Sequence, residues 1–414
     1  MTPYISSLLA RLEQRYSACP RFLSQVQTAL TAYDTAQPLP PAADALSWLE
    51  RLCTPVRFVC FSFSWQDDRG TAQVGTGFIV NYVNLSSRRC TLRIHPALTQ
   101  DSMLAEGFSA LLENALAGHT GSCLVGAVGQ PWTLSRRGSL AFCQGFIRAL
   151  GALVSPLPTL EGLHVALPAR ERGYVLGAYG AMTHQPMEPL EPALSHDQAA
   201  GYGLAYAAQG LLQRYRRTGL DGKPLLLAGT SPMAAYAAQK AAQMGAHIVA
   251  VGDETGFCPA DGLPVSALKA LADTPLAALS PDTFIPDPWG LWDIPAAVVL
   301  LCPGFCPLDT TRLASHAPEL VLEGMGVTGG LSPVTALENR GFLLGPGILG
   351  GMGGALWPRL WPGLSAWEAD RQLRTAMGTQ ISALWEFQNQ SPRLAAYGVA
   401  LERLKTTLLT QGLI

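Results

Sequence analysis

Residues 224–253 constrain the fold of this chain more tightly than any other stretch. Pro224-Leu225-Leu226-Leu227-Ala228 is an apolar run without alternation, as a strand buried on both faces requires. Gly229-Thr230-Ser231-Pro232 turns the chain, a helix is predicted over Ala235–Met244, and Gly245 ends it. A second strand is predicted over Ile248–Val251 and closes on Asp253, 24 residues after Gly229. Strand, tight glycine turn, helix, strand and acidic residue form the βαβ unit that opens a doubly wound, Rossmann-like sheet of dinucleotide-binding type. Further strands are expected at Ala296–Leu301, Leu320–Leu322 and Phe342–Leu344.

The turn itself departs from what a dinucleotide needs. Ser231 stands where a second glycine would let the backbone approach a pyrophosphate, and Pro232 removes an N–H that would point at it. No cofactor is therefore expected, with NAD(P) as the alternative; Gly229 and Asp253 remain the residues that would serve it.

The first half reads as α/β. Ile5, Leu8, Leu9 and Leu12 share one helical face, and a second amphipathic run, Ala45–Leu52, follows the break at Pro38–Pro41. Strands are expected at Phe58–Ser64 and Ala72–Val83, joined by the turn cluster Asp67-Asp68-Arg69-Gly70, and again at Thr91–Ile94. Helices are expected at Ser102–Leu116 and Ser139–Leu153, with Arg88-Arg89 and Arg136-Arg137 as loop charges. In the second half Ala199–Arg217 reads as a helix whose Arg214, Arg216 and Arg217 suit a solvated C-terminus, with Gly219 just beyond. Ser365 and Glu368 form a capping box ahead of Leu373, Met377, Ile381 and Leu384. The expected division is 1–197, an assembly or substrate domain; 198–364, the Rossmann-like domain; and 365–414, C-terminal helices packing back on the first.

Composition excludes several classes. A net charge of −2 gives no electrostatic footprint for nucleic acid or an anionic membrane. Two charge-free stretches, 114–135 and 341–358, are long enough to span a bilayer, but the first is broken by His119, Gln130 and Pro131 and the second by glycines. Both read as buried loops and strands. The start of the chain, with Arg11, Glu13 and Arg15, is not a signal peptide, and nine cysteines without a CxxC pair fit reduced thiols in the cytoplasm. Cys302 and Cys306 lack nearby partners for zinc, and no metal is expected. Of the 28 basic residues only Lys223, Lys240, Lys269 and Lys405 are lysines, so residues 1–222 offer no lysine chemistry.

A longer series of segments resembles the hexameric glutamate dehydrogenases of the glutamate/leucine/phenylalanine/valine dehydrogenase family, from about Tyr16 to Ile414. It includes Trp65-Gln66-Asp67-Asp68-Arg69-Gly70, Leu92-Arg93-Ile94-His95-Pro96, Asn114-Ala115-Leu116-Ala117-Gly118, Phe142-Cys143-Gln144, Gly201-Tyr202-Gly203, Glu323-Gly324, Pro346-Gly347 and Gly353-Gly354. The resemblance implies NAD(P)-dependent oxidative deamination of glutamate by a hexamer assembled through the first domain. It also implies polar residues that this chain lacks. Val125 matches the catalytic lysine and His164 the proton-carrying aspartate. Arg89, Glu113, Ile348 and Gly351 match the substrate pocket, and Ala200 and Gly326 the cofactor side.

These changes remove the implied chemistry. Valine carries no proton, and a positioned general acid or base is worth about 10²–10⁴ in rate. Arginine stays protonated where a lysine would titrate. Glu113 reverses a charge where a dicarboxylate docks; Arg89 and Glu113 are expected to pair instead. The sequence therefore suggests a catalytically degenerate member serving assembly, regulation or ligand binding, self-associated or joined to an active paralogue. The competing reading is a divergent oxidoreductase with a more apolar pocket, lined by Leu124 and Val125, and His164 as proton carrier.

Overall fold

The computed structural model describes residues 1–37, 47–83, 90–153, 163–184, 193–259, 270–271, 274–304, 308–324, 337–357, 363–387, 390–412 and 414. Arg88, Arg89, Cys306, Gly326 and the break at Pro38–Pro41 lie outside them.

Three helices open the chain: α1 (Pro3–Arg15), α2 (Pro20–Ala36) and α3 (Ser47–Cys53). Ile5, Leu8 and Leu12 of α1 are buried as their spacing requires. A five-stranded sheet follows, ordered β1-β2-β4-β3-β5, from β1 (Arg57–Gln66), β2 (Ala72–Tyr82), β3 (Cys90–Ile94), β4 (Ser122–Ala127) and β5 (Leu163–Ala166). β1 and β2 pair antiparallel across the expected turn, where Asp67 accepts from the backbone N–H groups of Arg69 and Thr71 and Gly70 takes a positive φ. β2 and β4 are antiparallel, whereas β3, β4 and β5 run parallel through the crossover helices α4 (Gln100–Leu116) and α5 (Arg136–Leu153). Helix α6 (Ala169–Thr183) packs on α5.

Arg136 and Arg137 are not loop charges. They sit in the exposed first turn of α5, which starts early because Asp68 accepts from the Ser135 and Gly138 N–H groups. A carboxylate from a distant turn and the local Ser135 hydroxyl, which accepts from the same Gly138 N–H, together cap this helix.

The second sheet has the order β11-β10-β9-β6-β7-β8. Its strands are β6 (Pro224–Ala228), β7 (His247–Asp253), β8 (Gly256–Pro259), β9 (Val298–Leu301), β10 (Leu320–Glu323) and β11 (Leu344–Gly345). All neighbours are parallel except β7 and β8. Leu225 and Leu227 face the core under helices α7 (His196–Arg216) and α8 (Pro232–Gln243), while Leu226 and Ala228 face the core on the opposite side. That two-sided burial is what the unbroken apolar run required.

Two boundaries move for physical reasons. Ser195 and Gln198 form a capping box that starts α7 one turn before the expected Ala199. Arg217 itself, at φ 55°, takes the left-handed end position expected near Gly219. The glycine-rich 341–358 stretch also contains short helical turns, Gly347–Gly350 and Met352–Leu356, besides β11. Among the described residues, no helix is long and apolar enough to cross a membrane.

The C-terminal helices return across both sheets. Ala366–Ala383, capped reciprocally by Ser365 and Glu368, packs on α7, and Pro392–Thr410 packs on α2 and α4. Arg403 on the last helix donates to the carbonyls of Ala115 and Leu116, which end α4. One continuous apolar core joins α2, α4, α7, α8 and these helices.

Candidate functional site

A cavity of about 100 Å³ lies where the two sheets' helices and strands meet. Its first wall comes from α4 (Ala110, Glu113, Asn114) and the amino ends of β3, β4 and β5 (Cys90, Thr91, Ser122, Cys123, His164). The facing wall comes from His196 and Ala200 of α7, Met233 of α8, and Gly351, Gly354, Ala355 and Trp357. Among the described lining residues there is neither lysine nor arginine.

The structure brings together four of the residues picked out by sequence: Glu113, His164, Ala200 and Gly351. Glu113 lines the cavity, and no hydrogen bond from a described residue reaches its carboxyl group. Burial pushes that group up to about 8, so it holds its proton near neutral pH. A Cβ added at Gly351 would lie 2.9 Å from the carboxyl carbon of Glu113. The acid therefore fills space that any side chain at 351 would contest.

Two residues belong elsewhere. Val125 does not line the cavity: it is 3% exposed and packs with Phe142 and Phe146 of α5, on the far face of the sheet. Leu124 is buried against α4, so neither supplies the apolar pocket wall expected of them. The cavity opens at the start of β4, where Ser122 and Cys123 line it; Leu124 and Val125 lie further along, buried on opposite faces of the sheet. Ile348 is likewise a core residue, 3% exposed. The pairing expected between Glu113 and Arg89, like the cofactor position Gly326, lies outside the described residues.

His164 meets an unanticipated partner. Its ring stacks on that of His196, with centroids 3.5 Å apart and planes 15° from parallel. Trp357 sets its ring edgewise against both, held by an N–H bond to the Leu194 carbonyl. Burial, then the neighbouring His196 and Arg172, hold the His164 imidazole well below its ordinary value. Gly354 leaves room for His196, whose Nε2 would be 2.9 Å from an added Cβ. His196 is 32 residues from His164, and no local spacing connects them. The sequence signal present, Ser195 and Gln198, marks only the helix start.

The βαβ turn adjoins the cavity through Met233, which follows Ser231 and Pro232 at the start of α8. Gly229 takes φ +108°, and a Cβ there would strike the carbonyl of Cys302 at 2.4 Å, so only glycine fits. Ser231 is the N-cap of α8, accepting from the Ala234 N–H, and Pro232 occupies the first turn. Asp253 is 8% exposed, and its carboxylate accepts from the Thr255 N–H and hydroxyl and from the Thr230 hydroxyl. With three protein donors on it and little surface left, Asp253 is poorly placed for a ribose hydroxyl.

Comparison with known proteins agrees with this architecture. Residues 55–180 match the model of the Glu/Leu/Phe/Val dehydrogenase dimerisation domain, and residues 193–412 that of the glutamate/leucine/phenylalanine/valine dehydrogenase domain. The NADP-specific glutamate dehydrogenase of Haemophilus influenzae is 26% identical over 371 residues, 84% of this chain and 82% of that protein. The NAD(P)-specific glutamate dehydrogenase of Xylanibacter ruminicola is 27% identical over 278 residues, 65% of this chain but only 62% of its own length. Among solved structures, a glutamate dehydrogenase superposes with a TM-score of 0.85 at 20% identity over the whole of both chains. The hetero-hexameric glutamate dehydrogenase of Thermus thermophilus, in its Leu-bound form, gives 0.77 at 21% identity, covering 94% of this chain and 96% of that one. With both family domains matched in order around two sheets, the chain belongs to the glutamate/leucine/phenylalanine/valine dehydrogenase family.

Proposed function

We propose that this family member does not perform NAD(P)-dependent oxidative deamination of glutamate and serves instead as an assembly, regulatory or ligand-holding subunit. The observation that carries this reading is the cavity's charge. Its described lining has no cationic side chain to hold a carboxylate, and its one carboxyl group, Glu113, is uncharged near neutral pH. Two like charges about 4 Å apart cost about 4 kcal/mol at an effective dielectric of 20, so ionising Glu113 against an anionic substrate is no remedy. The engaged Asp253 supports the loss of cofactor binding as well. Residues 1–197 act as the assembly half, in a homo-hexamer or beside an active paralogue. The free thiols among the described residues suit the cytoplasm.

The test is NADH and NADPH oxidation with 2-oxoglutarate and ammonia, using this chain expressed and purified alone. No turnover is expected. A steady rate that falls on Glu113→Ala or His164→Ala substitution overturns the proposal.

A divergent oxidoreductase using His164 is the second reading, and the position of His164 on the cavity wall favours it. Its lowered pKa works against delivery of a proton near neutral pH, because the imidazole is already neutral. Calorimetric titration with NAD(H) and NADP(H) separates the two, and heat of binding below millimolar cofactor selects the second.

A further inference from the structure

We propose that Cys90 and Cys123 form a reversible oxidation site for hydrogen peroxide, in which Cys123 reacts first and Cys90 then closes a disulfide on it at the cavity wall. The two Sγ atoms lie 3.0 Å apart, closer than unbonded sulfurs ordinarily rest, and both thiols are free. β3 and β4 run parallel with Thr91 opposite Leu124, so Cys90 and Cys123, one residue earlier, oppose each other and share a face. Neighbouring strands lie about 4.7–4.9 Å apart, inside the Cα separation of about 4.4–6.8 Å that a disulfide spans. Closure to a bond of about 2 Å therefore moves the sulfurs by about 1 Å and leaves the strands in place.

The register of the sheet makes the two thiols unequal. Arg57 on β1 lies opposite Asn81 on β2, and Asn81 lies opposite Cys123 on β4. Guanidinium, amide, thiol and thiol thus form one row across four strands, with the cation and the amide on the Cys123 side. The hydrogen bond shared with Cys90, then the Asn81 amide and the Arg57 charge, lower the Cys123 thiol from its ordinary range against the opposing effect of burial. The same shared hydrogen bond, then burial, holds Cys90 well above that range. Access differs in the same sense: Cys123 is half-buried on the cavity wall, whereas Cys90 is 3% exposed. Tyr179 of α6 is another titratable group beside both sulfurs, and burial keeps its phenol protonated, so it adds no negative charge.

The chemistry balances with peroxide alone. The Cys123 thiolate attacks one peroxide oxygen: an S–O bond forms, the O–O bond breaks, and hydroxide leaves as water with the proton that Cys123 released. The Cys90 sulfur then attacks the sulfenic sulfur: the S–S bond forms, the S–O bond breaks, and the Cys90 proton departs with the hydroxyl as a second water. Two thiols are oxidised and one peroxide is reduced to two waters; a dithiol reductant reverses the change. A transient, sensing disulfide is the kind found in a reducing compartment. The bond ties the starts of β3 and β4, so oxidation changes the lining of the cavity that holds Glu113. The inference goes beyond the loss of turnover and does not depend on it, because neither substrate nor cofactor takes part.

The experiment uses the full chain, expressed alone, reduced, freed of reductant and exposed to hydrogen peroxide. Remaining thiols are alkylated, and the digested chain is read by mass spectrometry. A cross-linked pair of peptides joining Cys90 to Cys123 is expected, and dithiothreitol should remove it. In Cys90→Ser nothing resolves the intermediate, so dimedone should label Cys123 as the sulfenic acid; in Cys123→Ser, Cys90 should stay unlabelled. Arg57→Gln should slow the cross-link several-fold at neutral pH and little at high pH, where Cys123 ionises without help, a profile that a merely structural role would not give. Where a serine variant fails to fold, the cross-link in the parent chain and the Arg57→Gln profile decide. The proposal is overturned if Cys90 and Cys123 both stay open to alkylation while other cysteines oxidise. Dimedone on Cys90 in place of Cys123, or equal slowing by R57Q at every pH, overturns it as well.

Discussion

Helix α7 presents two surfaces that the chain treats in opposite ways. Along one, Gly203 meets Gly353 backbone to backbone: a Cβ on Gly353 would sit 2.3 Å from the Ala199 carbonyl and 2.8 Å from the Gly203 Cα. At the amino end, His196 and Ala200 face the cavity with Glu113, His164 and Gly351. The seam depends on the absence of side chains and matches the family's Gly-Tyr-Gly and Gly-Gly segments. The cavity is lined instead by polar side chains, Glu113, His164 and His196 among them. The contrast teaches that the seam is fixed by the absence of side chains, whereas the cavity is set by which side chains line it.

The largest effect should come from the cavity. Glu113 is raised to about 8 from 4.5, so between those values the folded chain keeps a proton that the unfolded chain releases. Its stabilising contribution is full below about 4.5 and is lost as pH rises toward about 8, at up to about 1.4 kcal/mol per pH unit. Glu113→Gln should remove that slope and leave the protein more stable than its parent at pH 8, as urea unfolding across the window will show. An unchanged slope would mean that Glu113 is ionised and paired, and the contrast with the seam would fail.

On the seam, Gly353→Ala should cost roughly 2–3 kcal/mol, because the obstacle is backbone and cannot rotate away. Thermal unfolding measures it, with Gly354→Ala as a second variant that crowds only the movable ring of His196. Equal losses would erase the distinction between the two surfaces.

The smallest effect belongs to the βαβ turn. Ser231→Ala removes the N-cap of α8 and should cost about 1 kcal/mol in unfolding free energy. It should leave calorimetry with NAD(H) flat, as in the parent chain. Loss of a measurable cofactor signal in this variant would show that the turn holds phosphate after all.

The sequence made the fold legible wherever a local rule was enough. The Leu225–Leu227 run, the Asp67–Gly70 turn and the Ser365 capping box each carry their own reason. The short strands β5 and β8 were missed, because each is fixed by its neighbours in the sheet rather than by its own pattern. The site was legible only in part. The resemblance placed Glu113, His164, Ala200 and Gly351 on one cavity, yet it put Val125 there too, and Val125 lies further along β4 than the cavity reaches, packed against α5. The His164–His196 stack needed the tertiary meeting of β5 with α7, which nothing in either segment announces.

The clasp of the last helix on the first half has a consequence for synthesis. Arg403 reaches the end of α4 from 288 residues away, and Pro392–Thr410 covers apolar faces of both α2 and α4. Tyr33 on α2 also donates its hydroxyl proton to Glu402. Those faces of α2 and α4 therefore wait in water during synthesis until residues 392–410 have emerged. Closing so long a loop adds little to the equilibrium cost, since loop entropy grows only logarithmically with length. It sets a long interval in which a chaperone or a sister chain can reach the same surface first, and a nascent subunit is most open to choosing its partner then.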